Sequence, residues 1–334
     1  MTDADRARLA AWILTGLALP LILVLHLLPA LLGGLLVYEL IHLMAPPLAR
    51  RLPTRRAHLA AFLLLSVFIV AAVTAGVLLT VAFFRSDIGS LPALVQKMAD
   101  ILEGSRQSLP EWIVASLPDN ADDLKEAFVH WLRNHAAEVQ LAGKEMIRGL
   151  VHLLVGTVIG AVMALREATG RVEERPLAHA LAERARRLAD AFRRIVFAQV
   201  RISAINTCFT ALYLAVALPL LGIHLPFAST LIAITFVVGL LPVVGNLVSN
   251  SIIVVVSLAH SPEVAIASLV FLVVIHKLEY FLNARIVGSR IAAQAWELLL
   301  AMLVMEAAFG IPGVVAAPIY YAYLKRELTD AGWV

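Results

Sequence analysis

The chain has 334 residues, of which 61% are hydrophobic and 15% charged, with a mean hydropathy of +0.87 and a formal net charge of +3. Soluble domains average about 45–50% apolar and about 25% charged residues, and a wetted exterior cannot be built from so apolar a chain. The composition therefore excludes a water-soluble globular protein and makes the lipid bilayer a partner. So small a charge surplus gives no argument for nucleic acid, which is not expected as a partner, and the single cysteine, Cys208, excludes an intramolecular disulfide and a cysteine-rich metal site.

A helix needs roughly 20 apolar residues to cross a bilayer core. Leu9–Ala45 is too long for one crossing; Pro20, Pro29 and the Gly33–Gly34 pair divide it into helices over 9–27 and 30–45, with a turn near Pro29. Ala57–Phe84 is a third span and closes an amino-terminal transmembrane domain over 1–84. Residues 85–148 are polar, but Leu124, Phe128, Trp131, Leu132, His135 and Val139 recur at helical spacing, which predicts a small external helical cap. Leu150–Leu165 supplies the fourth span, within 149–166.

The segment 167–200 carries Leu177, Leu181, Ala185, Leu188, Phe192 and Ile195 as an apolar stripe among arginines. Such an amphipathic helix can lie on the membrane surface, pack against its own chain, or pair between subunits. A carboxyl-terminal transmembrane domain follows over 201–326, with spans at Ile202–Leu221 and Val264–Leu282 and a tail at 327–334.

Two apolar runs in that domain are interrupted. Pro226–Ala259 is broken at 241–246, through Pro242 and Gly245, and Leu298–Leu324 is broken at 309–313, through Gly310, Pro312 and Gly313. Each is too long for one upright helix, and each half is short for a full crossing. Either run is a kinked single helix or a helical hairpin beside a cavity, because bare backbone is costly in lipid. The expected fold is all-α, a polytopic transmembrane helical protein with two Pro/Gly-broken helices or helical hairpins.

Arginine and lysine collect on the cytoplasmic side. Residues 166–201 hold nine arginines against five acids, while 85–148 hold ten acids against seven bases. This puts both termini, the 50–56 loop and 167–200 inside and the cap outside. Arg285 and Arg290 also belong inside if both broken runs return to the side they enter from.

Polar groups in apolar spans are functional candidates because they are costly there. His276, Glu279 and Asn283 fall near one helical face and suit a proton, a monovalent cation or a polar solute, although Lys277, Glu279 and Arg285 can equally balance one another at the inner interface. Glu306 stands nine residues into its apolar run with no base nearby; buried and unpaired, it would spend time neutral, as a proton carrier does. Asn246 and Asn250 share a face just after the first break, and Gln199 and Asn206 are weaker examples. Both breaks are expected on the permeation path. Gly156, in the unbroken fourth span, is expected to tolerate bulk better, and Glu39 and His42 to snorkel at the inner interface. There is no Walker loop, dinucleotide fingerprint, His-Glu-x-x-His or Ser/His/Asp cluster. The expectation is no enzyme, no cofactor and no metal.

Three stretches carry a wider likeness: Gly239-Leu240-Leu241-Pro242-Val243-Val244-Gly245, His276-Lys277-Leu278-Glu279 leading into Arg285-Ile286-Val287-Gly288, and Phe309 through Pro318. In these, and in the order of its parts, the chain resembles the autoinducer-2 exporter family of bacterial membrane proteins, the PerM-like permeases. The resemblance implies an inner-membrane homo-oligomeric permease that exports a small polar solute such as an autoinducer-2-like signal; the expectation of proton coupling comes from Glu306. In other members it implies sodium/proton antiport. A passive pore and a non-transporting membrane scaffold are the remaining alternatives.

Overall fold

The computed structural model describes residues 3–50, scattered positions of 53–68 and 123–135, and 136–168, 175–240, 244–258, 260–286 and 294–333. Every element bounded among them is a helix. The expected cap over 85–148 lies outside the described residues up to position 122, as do the expected third span beyond position 68, Pro242 and the side chains of His276 and 278–293.

Helices α1 (Asp3–Val24) and α2 (Leu28–Ala49) are joined by a turn at His26, whose φ is 56°. Pro29 sits in the first turn of α2, where a missing N–H costs nothing. Helix α3 (Ala136–Ala168) runs unbroken through the expected boundary between cap and fourth span. The next helix, α4 (Pro176–Leu220), likewise joins the arginine-rich stretch to the fifth span in 45 residues, through a π-helical turn at Tyr213–Ala217. Polarity changes along both helices, but nothing in either stretch breaks the backbone.

The chain divides into two compact units, Met1–Ala72 with Ala142–Phe197 and Arg290–Val334, and Val73–Leu141 with Ala198–Ser289. In the first, α2 and α3 touch backbone to backbone. A Cβ added at Gly156 would run into the Ala30 carbonyl, and one at Gly160 into that of Gly34. Gly156 is therefore a contact point, contrary to the tolerance expected of it: two small residues four apart let helices approach closely. Ala30 faces Gly156, Gly34 faces Gly160 and Tyr38 bonds Glu167, so α2 and α3 run in the same direction.

The apolar stripe of α4 settles among its own chain. Leu188, Ala191 and Phe192 form one cluster with Ile319 and Tyr323 near the carboxyl terminus.

Both interrupted runs are hairpins. In the first unit, α8 (Ala295–Phe309) and α9 (Ile311–Asp330) meet at Gly310, where φ 64° and ψ −147° define a conformation essentially reserved for glycine. At the far end Lys325 Nζ lies 2.6 Å from Glu297 Oε2, so the two arms run antiparallel and close at their base. In the second unit, α5 (Ala228–Gly239) and α6 (Val244–Leu258) bring Leu231 and Ile253, equidistant from position 242, into one buried cluster. Helix α7 (Pro262–Ile286) packs on α6. An arm of 15 residues reaches about 22 Å, short of a hydrocarbon core about 30 Å thick.

Outer faces remain apolar: Ile13 and Leu17 on α1, Val155 and Val158 on α3, Ile266 and Val270 on α7, and Leu299 and Leu303 on α8 are all exposed. Four helices among the described residues are long and apolar enough to cross a membrane. The fold is an all-α, multi-pass membrane protein.

Candidate functional site

Along the second half of α4 the polar residues Gln199, Ser203, Asn206, Thr210 and Tyr213 follow a 4-3-4-3 spacing, which holds them on one helical face. The upper part of this stripe meets the broken hairpin. The last carbonyls of α5 have no partners within their helix; Gln199 Nε2 donates to the Gly239 carbonyl at 2.8 Å, and Ser203 Oγ to that of Phe236 at 2.6 Å. Asn206 Nδ2 donates to Asn246 Oδ1 at 2.9 Å, in the first turn of α6. Gly245 is buried here, and a Cβ on it would collide with the Val238 carbonyl, so the two arms cross at backbone distance.

Further along, the stripe enters apolar packing. Tyr213 Oη shares a hydrogen bond of 2.9 Å with Ser268 Oγ, which shares another of 2.8 Å with Ser257 Oγ, while the Tyr213 ring stacks on Phe271 at 4.0 Å. Thr235 and Ser249 are buried and satisfied by carbonyls of their own helices. Between the two groups, the hydroxyls of Thr207 and Thr210 are buried and have no partner among the described residues. These side chains form a polar seam that is uncharged and enclosed by Leu214, Leu231, Ile253 and Leu272.

A family model described as AI-2E family transporter matches residues 9–331 of this chain. The chain belongs to that family. It is a membrane transporter. No curated protein and no solved structure matches the chain.

The residues singled out in the sequence divide between the transporter's two units. Gly245, Asn246 and the half-buried Asn250 belong to the seam end of the first hairpin, beside position 242. His276, Glu279 and Asn283 lie on the last turns of α7. In the other unit, Gly310 turns the second hairpin, Gly313 is buried against the Met305 carbonyl, and Pro312 is exposed in the first turn of α9. Glu306 is exposed on α8 rather than buried as its sequence neighbourhood suggested, because α9 packs on the other face of that helix. Sequence reasoning passed over Ser203, Thr210, Tyr213, Ser257 and Ser268. Only the first three carry a signal, the 4-3 spacing they share with Gln199 and Asn206.

The ionic groups of the transporter gather elsewhere, where the first half of α4 meets α9. The buried Arg184 and Glu327 are paired, and Arg187 reaches Glu327 at 2.9 Å, Glu183 at 2.5 Å and Asp330 at 3.0 Å. Asp190 accepts from Arg193 and Arg326, each at 2.8 Å. Arg184 also lies over the Trp12 ring at 5.5 Å, and Trp12 meets Trp333 at 6.2 Å. The stretch expected as a cytoplasmic tail over 327–334 begins with a buried, paired carboxylate. Glu39, expected to snorkel, is buried 3.8 Å from Arg193, and His42 Nε2 lies 3.6 Å from Glu167. At the base of the second hairpin, the hydrogen bond from Lys325 holds the Glu297 carboxyl below the usual carboxylate range. Among the described residues no group of three or more His, Cys, Asp or Glu is placed to hold a metal ion.

Proposed function

We propose that the chain exports a small, uncharged polar solute of the autoinducer-2 kind across the bacterial inner membrane, along the seam of the second unit. The supporting observation is the line of buried and half-buried hydroxyls and amides from Gln199 to Tyr213, about 21 Å of helix, in which the Thr207 and Thr210 hydroxyls have no partner among the described residues. A buried polar group without a hydrogen bond is costly, and a passing solute that carries hydroxyls would supply the missing partner. A bare cation is served less well. The Phe236 and Gly239 carbonyls that would coordinate it already accept from Ser203 and Gln199.

Proton coupling rests on the register of α7. Ser268, Leu272 and Ile275 are buried on one face, and the same i, i+4, i+7, i+11 progression returns at position 279. Glu279 is the titratable residue at that register. The arginine placement supports cytoplasmic termini, and the family likeness supports an inner-membrane homo-oligomer that performs no chemistry on its solute.

Flux into proteoliposomes, with and without a pH gradient, tests this reading. Wild-type protein should give saturable flux of the uncharged solute that responds to the gradient, and Glu279→Gln should keep the flux and lose the response. Sodium movement in exchange for protons would instead favour an antiporter. Unsaturable flux would favour a passive pore, and none at all a scaffold.

A further inference from the structure

The first unit contains a cleft of about 650 Å³ that the transport reading does not use. Its volume lies within the range of roughly 300–1,000 Å³ typical of small-molecule sites. Its walls are α2, α3 and the first half of α4, and its lining is sharply divided. Leu27, Leu31, Leu35, Ile159, Met163 and Leu188 make an apolar body. The body ends at Tyr38 and Glu167, joined there by Arg166, Arg186 and His179.

The charged end has a definite structure. Glu167 accepts hydrogen bonds from Tyr38 Oη at 2.6 Å and from Arg186 Nε at 2.9 Å. Among the described residues lining this end, two arginines and a histidine stand beside one carboxylate. From Leu27 to Tyr38, α2 spans eleven residue steps, about 17 Å. One leaflet of a hydrocarbon core about 30 Å thick is about 15 Å deep.

We propose that this cleft binds an anionic phospholipid, with one acyl chain along Leu27–Leu35 and the phosphate at Arg166 and Arg186. Helices α2 and α3 are among those long and apolar enough to cross a membrane, so the cleft opens onto hydrocarbon. Its rim is apolar too: Ile159 is 57% and Met163 48% exposed. Water has no partners along such a lining. An acyl chain matches it in length and polarity, and only a ligand with an anionic head also uses the basic end. Basic pockets between membrane helices hold acidic headgroups in this way, each arginine contributing about fivefold in affinity.

The test uses full-length protein, stripped of lipid in detergent and titrated with phosphatidylglycerol, phosphatidylcholine or inorganic phosphate. Native mass spectrometry and thermal unfolding give the readout. Phosphatidylglycerol should bind saturably at one per chain and raise the melting temperature; phosphatidylcholine should bind several-fold more weakly, and phosphate should do neither. Arg186→Gln should weaken phosphatidylglycerol about fivefold and shrink its advantage over phosphatidylcholine. Ala182→Phe, at an exposed position on the cleft wall, should abolish the one-to-one adduct while still unfolding cooperatively. Ala185→Leu provides the same block should the phenylalanine variant fail to fold. The proposal is overturned if the blocked variants bind phosphatidylglycerol as tightly as wild type, or if inorganic phosphate gives the same stabilisation. It is also overturned if blocking the cleft breaks the oligomer and leaves lipid binding intact, since a second copy of the chain would then be the occupant.

Discussion

Glu327 is 1% exposed and holds two arginines of α4 against the last helix, so its removal leaves Arg184 charged in a buried place. Breaking one side of such a pair costs about 3–5 kcal/mol. Glu327→Ala should therefore lower the melting temperature in detergent markedly, and Glu327→Gln should fall between it and wild type. An unchanged melting temperature in both would mean that solvent reaches Arg184 directly. Gly156 carries a different constraint. The Ala30 carbonyl occupies the place of its missing side chain, so Gly156→Ala must push α2 from α3, at about the 1–3 kcal/mol typical of overpacking. Thermal unfolding of that variant beside Gly143→Ala, where a Cβ meets nothing, measures the difference. Gly156 and Gly160 were readable as a small-xxx-small pair, but a single span does not say which of its faces meets a neighbour. The Arg184–Glu327 pair was not readable at all, because 143 residues separate its members and any arginine of that helix had an equal claim.

At the scale of elements, the two hairpins rest on contacts across their arms, and they make a prediction about sides. With Cys208 replaced by serine, single cysteines at Gln294 and Thr329 should react with an impermeant thiol reagent from one side of the membrane, and both from the same side. His224 and His260, flanking the other hairpin, should likewise report one common side. Opposite sides for either pair would return that run to a single kinked crossing. The base of the second hairpin also has a pH signature. The Glu297 carboxyl is held low by Lys325, so its contribution to stability is complete above the ordinary carboxylate pKa and is lost as pH falls through the depressed one. Acid should loosen the base while neutral pH keeps it closed, which hydrogen exchange at 294–298 would detect. The breaks at 241–246 and 309–313 were legible because proline and glycine interrupt helices for local reasons. The choice between a kink and a fold-back stayed open, since in the second run it depends on Glu297 finding Lys325, 28 residues away. The full lengths of α3 and α4 were not legible for the opposite reason: a change of polarity marks where a helix leaves lipid, not where it stops.

Over the whole molecule, composition alone placed the chain in a bilayer, and the apolar outer faces of α1, α3, α7 and α8 bear that out. The uncharged seam was only half visible. Gln199, Asn206, Asn246 and Asn250 stood out as amides, whereas Ser203, Thr210, Ser257 and Ser268 are residue types that membrane helices carry routinely. Their significance comes from burial on facing helices, which no single stretch of sequence contains. Thr210 tests the central claim most directly, because its hydroxyl is buried without a partner among the described residues. Removing an unsatisfied polar group while keeping shape is neutral or stabilising. Flux of autoinducer-2 and of uncharged pentitols into proteoliposomes should therefore be compared for wild type, Thr210→Val and, as a control on the exposed side of the same helix, Cys208→Ser. The account predicts a melting temperature for Thr210→Val at or above that of wild type with flux reduced several-fold, and wild-type flux for Cys208→Ser. Wild-type flux in a stably folded Thr210→Val would contradict it.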